Sequence, residues 1–138
     1  MKIGIIGNGN HSKRIQKILK KKKLSFFIYK PKKPKYFEKE DFENIKKCKI
    51  IFILSPNKTH FHYIKSLYKN CYIFCEKPPV TNKNDLKLLS RINNGKIYFN
   101  FNKRFSNLST IIQKKSKYKL GKIIYGSLIT SHGLAQKK

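Results

Sequence analysis

Short apolar runs alternate along the chain with segments in which apolar residues recur every three or four positions. Each run is too short for a helix and is rich in Ile, Phe and Tyr, so each predicts a buried strand. The five predicted strands are Ile3–Ile6, Leu24–Tyr29, Ile50–Leu54, Tyr72–Cys75 and Ile97–Phe101. The apolar positions with helical spacing are Ile15, Ile18 and Leu19, then Phe61, Ile64 and Leu67, then Leu86, Leu88, Leu89 and Ile92. This order predicts an α/β fold, a doubly wound parallel sheet with helices on both faces.

The connections and the end of the chain complete this pattern. A Pro- and Lys-rich connection predicts only a short helix near residues 41–46. Residues 108–115 predict a further helix, and residues 123–130 a strand that has no place in a complete sheet. We therefore expect a dinucleotide-binding-type domain over residues 1–120, and in residues 121–138 the first strand of a second, truncated α+β domain.

The first predicted strand runs directly into Gly7-x-Gly9-x-x-Ser12, which opens the first helix. Glycine at 7 permits a tight reversal, glycine at 9 lets backbone N–H groups approach a pyrophosphate, and a small residue at 12 lets helix and strand pack closely. This pattern predicts a Rossmann-type phosphate-binding turn made of Gly7, Asn8, Gly9, Asn10, His11 and Ser12. Glycine-rich turns also join strands to helices in proteins that bind no nucleotide, so the rest of the chain has to decide.

The net charge of +27 by itself resembles that of a surface that binds nucleic acid, but the kind of basic residue argues otherwise. Three of the 33 basic residues, Arg14, Arg91 and Arg104, are arginine, although arginine is the better reader of phosphates and guanine edges. Lysine together with abundant Ile, and with a single Ala and a single Val, is typical of an A/T-rich genome. The composition thus argues against nucleic acid as a partner. A basic nucleic-acid-binding protein stays the least favoured alternative.

Three cysteines, Cys48, Cys71 and Cys75, cannot all pair within one chain, and no secretory segment precedes them, so a cytoplasmic location is expected. The longest apolar stretches are far short of a membrane span. A zinc site built on His60 and His62 is disfavoured, because residues two apart on a helix point in different directions. We expect no metal and no membrane.

Polar phrases follow the third, fourth and fifth predicted strands: Ser55-Pro-Asn-Lys-Thr-His60, Glu76-Lys-Pro-Pro79 and Asn100-Phe-Asn-Lys-Arg-Phe105. Ligands bind at the carboxyl ends of strands in open α/β sheets, so these phrases are expected to line one crevice. In this order, behind a Gly7-x-Gly9 turn, they resemble the dinucleotide-dependent sugar and inositol oxidoreductases of the Gfo/Idh/MocA family. The resemblance covers essentially the whole chain.

The resemblance implies roles for individual residues. Ser55, Pro56 and Asn57 are implied to run under the cofactor, and His60 to contact it from the start of the next helix. Glu76 is implied to lie near the nicotinamide ribose with Lys77 beside it, and Arg104 near the cofactor or the substrate. Lys77 is also the catalytic, substrate-side lysine, whose ammonium can stabilise a developing alkoxide. The Lys77–Pro78 bond is expected to be cis. An ordinary turn at residues 55–57 and a surface cation at Arg104 are the alternatives.

The cofactor is predicted to be NADP or NAD. Sites for NAD usually carry an acidic residue at the end of the second strand, where this chain has Lys30. A cation there favours the 2′-phosphate of NADP.

Family members continue through a second domain that supplies an Asp and a His for proton transfer, and this chain ends before any such segment. The resemblance implies an oxidoreductase acting on a secondary hydroxyl of a sugar, nucleotide sugar or cyclitol, inactive as this chain alone. The alternatives are a non-catalytic nucleotide-binding remnant and half of a split enzyme. The partner of the chain is expected to be either a second copy, in a homo-oligomer, or a separately encoded C-terminal half.

Overall fold

The structure, a computed structural model, describes residues 2–30, 39–92, 95–101, 106–118 and 125. The chain divides into two compact units, Met1–Phe101 and Asn102–Lys138. In the second unit one helix, α5 (Asn107–Tyr118), is described, at the position where a helix is predicted. The predicted strand at 123–130, apart from Tyr125, and the predicted site residue Arg104 lie outside the described residues. The division at residue 120 stays a prediction.

The first unit alternates strands and helices as the apolar pattern predicts. Its elements are β1 (Ile3–Ile6), α1 (Asn10–Lys21), β2 (Phe26–Tyr29), α2 (Lys39–Lys46), β3 (Ile50–Ile53), a 3₁₀ turn (Asn57–Thr59), α3 (His60–Leu67), β4 (Tyr72–Cys75), α4 (Lys83–Ser90) and β5 (Ile97–Phe99). All five predicted strands are confirmed. Some strands are shorter than the apolar runs that predicted them. In the second run, for example, Leu24 lies before the first paired residue of β2 and is 41% exposed.

The five strands form one parallel sheet in the order β2-β1-β3-β4-β5. Ile3 of β1 pairs with Phe26 and with Ile50, and Ile50 pairs with Tyr72, so the strands start nearly in register and their carboxyl ends form one edge. The chain crosses from β1 to β2 on one side and then to β3 on the other. The predicted doubly wound sheet is confirmed, and its switch point lies between β1 and β3, where ligands bind in such sheets.

Helices cover both faces of the sheet. The larger core packs α2, α3 and α4 on one face, around Ile51, Ile53, Ile64 and Ile73. On the other face, α1 packs Leu19 against Ile3 and Ile5.

Some of the apolar positions with helical spacing lie at the surface. Ile18 of α1 and Leu86 and Leu88 of α4 are 42 to 54% exposed. Each helix contacts the sheet along one stripe of its surface, and the exposed side chains lie beside that stripe. The core contacts come from Ile15 and Leu19 of α1 and from Leu89 of α4.

Among the described helices, none has the length and apolar character that crossing a bilayer requires.

Candidate functional site

Gly7 makes the reversal from β1 toward α1. Its φ is +104°, which side chains rarely tolerate, and its N–H donates to the carbonyl of Tyr29 at 2.9 Å. A Cβ at this position would lie 2.5 Å from the carbonyl oxygen of Leu54. That carbonyl belongs to the loop after β3, so glycine is required for the loop and the turn to approach each other.

Gly9 is different, because no described neighbour requires its lack of a side chain. It precedes α1 with φ −72° and ψ −176°, ordinary extended values, and a Cβ there would meet no atom of the described residues within 4 Å. Neither the backbone conformation nor packing therefore explains a glycine at this position. Close approach of a ligand to the backbone from the open space in front of the turn would explain it.

The open space in front of Gly9 is where α1 begins. The first hydrogen bond within α1 runs from the Lys13 N–H to the Gly9 carbonyl at 3.0 Å. The N–H groups of Asn10, His11 and Ser12 precede it and have no partner within the helix. No described side chain caps this end and its first turn contains no acidic residue. Such a helix N-terminus attracts anions, and a pyrophosphate fits its donors.

Side chains hold the turn in place from behind. Ser12 is fully buried and its hydroxyl donates to the Gly7 carbonyl at 2.9 Å. Gln16, one helical turn later, donates from Nε2 to the Ser12 hydroxyl at 3.0 Å and lies 3.1 Å from Asn8 Oδ1. Sequence reasoning missed Gln16, although its spacing of four from Ser12 places the two on one side of α1.

Glu76, directly after β4, joins three loops. Its Oε1 lies 2.9 Å from Nε2 of His11 at the start of α1 and also accepts a short hydrogen bond from the Asn100 side chain beyond β5. Its Oε2 accepts from the Lys77 N–H at 3.2 Å. The carboxylate side chain is 17% exposed. Glu76 thus ties the phosphate turn to the ends of β4 and β5, and Asn100 is a site residue that the prediction did not include.

His60, predicted as a cofactor contact, lies behind the loops. The residue is fully buried, with Nδ1 2.8 Å from the Pro78 carbonyl and Nε2 2.7 Å from the Ser55 carbonyl. Both ring nitrogens are therefore occupied by the protein. The geometry gives His60 a positioning role between the loops after β3 and β4.

Thr59 adds to this junction. Its hydroxyl oxygen lies 2.7 Å from the Pro56 carbonyl and 2.8 Å from the Ser55 hydroxyl. Its side chain therefore bonds the start of the same loop, where His60 also contacts the Ser55 carbonyl. The prediction did not include Thr59.

The remaining predicted residues lie at the surface of the same edge. Pro56, Asn57 and Lys77 are exposed, and Ser55 is partly exposed. The Lys77–Pro78 bond is cis, as expected. Lys30 is exposed directly after β2, the strand beside β1. The structure therefore brings the phosphate turn and the loops after β2, β3 and β4 to one edge of the sheet.

The three cysteines lie in the core of the domain. All three are buried and free, and burial raises the pKa of Cys71 to about 11 and of Cys75 to about 12, with the nearby Glu76 adding to the second shift. They are protonated thiols at neutral pH and poor nucleophiles. In the ranges that the structure describes, no three His, Cys, Asp or Glu side chains group as metal ligands.

A doubly wound parallel sheet with an uncapped helix N-terminus at its switch-point edge defines a nucleotide-binding α/β domain. The family model described as "Oxidoreductase family, NAD-binding Rossmann fold" matches residues 20–96, more than half of the sequence. The chain belongs to this family, Gfo/Idh/MocA, and the sheet is the NAD-binding domain of an oxidoreductase. The match starts after the turn at residues 7–12, so the support for a phosphate site at this turn comes from its geometry.

A solved structure supports the same fold. Apo scyllo-inositol dehydrogenase from Lactobacillus casei has a TM-score of 0.58 and 17% identity to this chain. The similarity covers 85% of this chain and 42% of that enzyme, so this chain spans less than half of the enzyme's length. Among curated protein sequences, none matches.

Proposed function

We propose that this chain binds NADP or NAD at the carboxyl edge of its sheet and is the cofactor domain of an oxidoreductase that acts on a secondary hydroxyl of a sugar, nucleotide sugar or cyclitol. The observation that carries the proposal is the uncapped N-terminus of α1 behind Gly9, where a Cβ would meet no atom of the described part of the chain within 4 Å. The substrate class rests on the family and on the inositol dehydrogenase of similar fold.

The residues of the crevice have separate tasks in this proposal. The N–H groups of Asn10, His11 and Ser12 bind the pyrophosphate. Glu76, held by His11, presents its carboxylate to ribose hydroxyls. The bound nicotinamide supplies the hydride chemistry.

Lys77 acts on the substrate side. It is exposed and follows Glu76 directly. Its ammonium donates hydrogen bonds to the substrate oxygen and stabilises the negative charge that this oxygen carries once its proton is removed, before hydride leaves the carbon.

The chain is proposed to prefer NADP. Lys30 stands directly after β2 and is exposed, so its ammonium is available to a 2′-phosphate. A carboxylate in the same place would repel that phosphate and accept from the hydroxyls of NAD.

This chain alone is proposed to bind cofactor without turning over substrate. Oxidation of a hydroxyl needs a base for its proton. Of the histidines in the described crevice, His60 has both nitrogens occupied and His11 is bound to Glu76. A non-catalytic module and a half that functions with a separately encoded chain are both compatible with this property.

Titration of the purified chain with NADP and with NAD tests the proposal. Each should raise the unfolding temperature, NADP more than NAD at equal concentration. Equal shifts would remove the NADP preference, and no shift from either at millimolar concentration would refute the cofactor site. Lys77→Ala should keep the shift, because Lys77 acts on the substrate side. Steady oxidation of inositol or a sugar by the same protein would refute the absence of turnover.

A further inference from the structure

We propose that His60 is held as a doubly protonated imidazolium that ties together two loops of the crevice. The loops are the Ser55 loop, residues 55–59 after β3, and the Pro78 loop, residues 76–79 after β4. His60 is a positioning residue, since it lies behind the loops and both its ring nitrogens face backbone atoms.

The charge follows from the two partners of the ring. The Pro78 carbonyl lies 2.8 Å from Nδ1 and the Ser55 carbonyl 2.7 Å from Nε2. A carbonyl oxygen only accepts hydrogen bonds, so each nitrogen has to donate. A neutral imidazole carries one N–H, and either tautomer would set a nitrogen lone pair against a carbonyl lone pair at one of these distances. Only the imidazolium satisfies both contacts.

Burial of a cation has a cost, which the surroundings have to offset. The ring is fully buried, and His60 is the first residue of α3, whose positive end disfavours a cation. Two hydrogen bonds from a charged donor are the stabilising contribution, and such bonds are about twice as strong as neutral ones. The ionisable groups of the two loops are Glu76 and Lys77 beside Pro78 and Lys58 before α3, and Glu76 is the one that favours positive charge.

The consequence for function rests on the proposed cofactor site. Ser55 and Pro78 lie five and 18 residues from His60 in the sequence, on opposite sides of it, and their loops follow neighbouring strands. With both bonds made, Asn57 and Lys77 are held at fixed positions relative to one another. With one bond lost, one loop is released and the crevice is no longer preorganised for the dinucleotide.

Nitrogen-15 NMR of the cofactor-free full chain tests the charge directly. At neutral pH both ring nitrogens of His60 should have the chemical shifts of protonated nitrogen. His62, two residues along α3 and exposed, is the internal comparison. An unprotonated shift for either His60 nitrogen would overturn the proposal.

Two substitutions separate the two bonds. The amide nitrogen in His60→Asn comes near the position of Nδ1 and can keep the bond to Pro78, whereas that in His60→Gln comes near Nε2 and can keep the bond to Ser55. We expect backbone amide shifts to move mainly in the Ser55 loop for the first variant and in the Pro78 loop for the second. Each variant should bind NADP on the order of tenfold more weakly, the effect of losing one hydrogen bond to a charged group.

His62→Gln, on the same helix, is the matched control and should leave NADP affinity and both loops unchanged. Variants of His60 that bind NADP as tightly as the unsubstituted chain would overturn the positioning role. If the unsubstituted chain binds no NADP, the proposed function fails, and the nitrogen-15 spectrum still decides whether His60 is charged.

Discussion

Glycine-to-alanine substitutions at positions 7 and 9 add the same methyl group two residues apart and should have different effects: the first should lower stability, and the second should weaken ligand binding at nearly unchanged stability. Gly7 is required by the fold and Gly9 is open to solvent. The pair therefore separates what the protein needs to fold from what a ligand needs to approach.

Gly7→Ala should destabilise the domain. A side chain at a φ of +104° costs about 1–3 kcal/mol of backbone strain. The added Cβ would also lie 2.5 Å from the Leu54 carbonyl oxygen, which cannot move freely because the Leu54 N–H donates to Ile6 at 2.8 Å. At about 3 °C for each kcal/mol in a domain of this size, we expect the unfolding temperature to fall by roughly 5–10 °C.

Gly9→Ala should leave stability nearly unchanged. At φ −72° alanine is not strained, and a less flexible unfolded chain stabilises the protein by about 0.4–1 kcal/mol. Alanine is a poorer residue than glycine at a helix N-cap, by several tenths of a kcal/mol, which offsets this gain. The net change in unfolding free energy should be within about 0.5 kcal/mol. A methyl group between the protein and the pyrophosphate should meanwhile weaken NADP binding by about 10- to 100-fold, as the bonds to the α1 N–H groups lengthen.

Urea unfolding followed by circular dichroism measures the stability of both variants, and calorimetric titration with NADP measures binding. ADP, which has the same diphosphate without nicotinamide, should show the same loss in Gly9→Ala. If Gly9→Ala bound NADP like the unsubstituted chain, the open space before α1 would not be the phosphate site. If Gly7→Ala were as stable as the unsubstituted chain, the close approach of its Cβ to Leu54 would be wrong.

Three further predictions follow from the same structure. Glu76→Gln should lower the unfolding free energy by about 1–2 kcal/mol and weaken NADP binding, because it removes the charge that holds His11, whereas Glu43→Gln, at an exposed position of α2, should change stability by about 0.5 kcal/mol or less; equal effects of the two in urea unfolding would contradict this. Lys30→Asp should shift the preference from NADP toward NAD in thermal-shift titrations, and an unchanged ratio of the two affinities would exclude Lys30 from the ribose end of the site. Because burial raises the pKa of Cys75 to about 12 from 9.0, the folded state holds this proton more tightly, so the urea midpoint should fall as pH rises above about 9, and a midpoint that is constant to pH 11 would refute the shift.

The fold could be predicted from the sequence because buried parallel strands have a simple pattern. A short run such as Ile50–Ile53 is apolar on both faces, and no helix of four residues is stable, so strand is the available interpretation. Helix faces were less predictable. Ile18 has the spacing of a core residue and is half exposed, since periodicity gives the direction of a side chain on its helix and not the extent of the sheet beneath it.

The site could be predicted as a set of loops but not as a set of contacts. The glycine turn and the phrases after β3 and β4 are recognisable in the sequence because their residue types and spacing are unusual. Gln16 and Asn100 are common polar residues whose partners are eight and 24 positions away, and only the folded chain brings each pair together. His60 was recognised as part of its motif, while its two carbonyl partners could not be inferred from sequence.

The loops meet because the carbonyl of the last residue of one strand accepts a hydrogen bond from the N–H of the first residue after the neighbouring strand. Backbone bonds of 2.8–3.0 Å run from Gly7 to Tyr29, Leu54 to Ile6, Glu76 to Ile53 and Asn100 to Cys75. Each loop therefore leaves the sheet at the same level, and the side-chain bonds of Glu76 and His60 act over short distances between loops already aligned. A substitution in a loop side chain should consequently change binding more than the sheet, whereas one at a strand end, such as Gly7→Ala, should change both together.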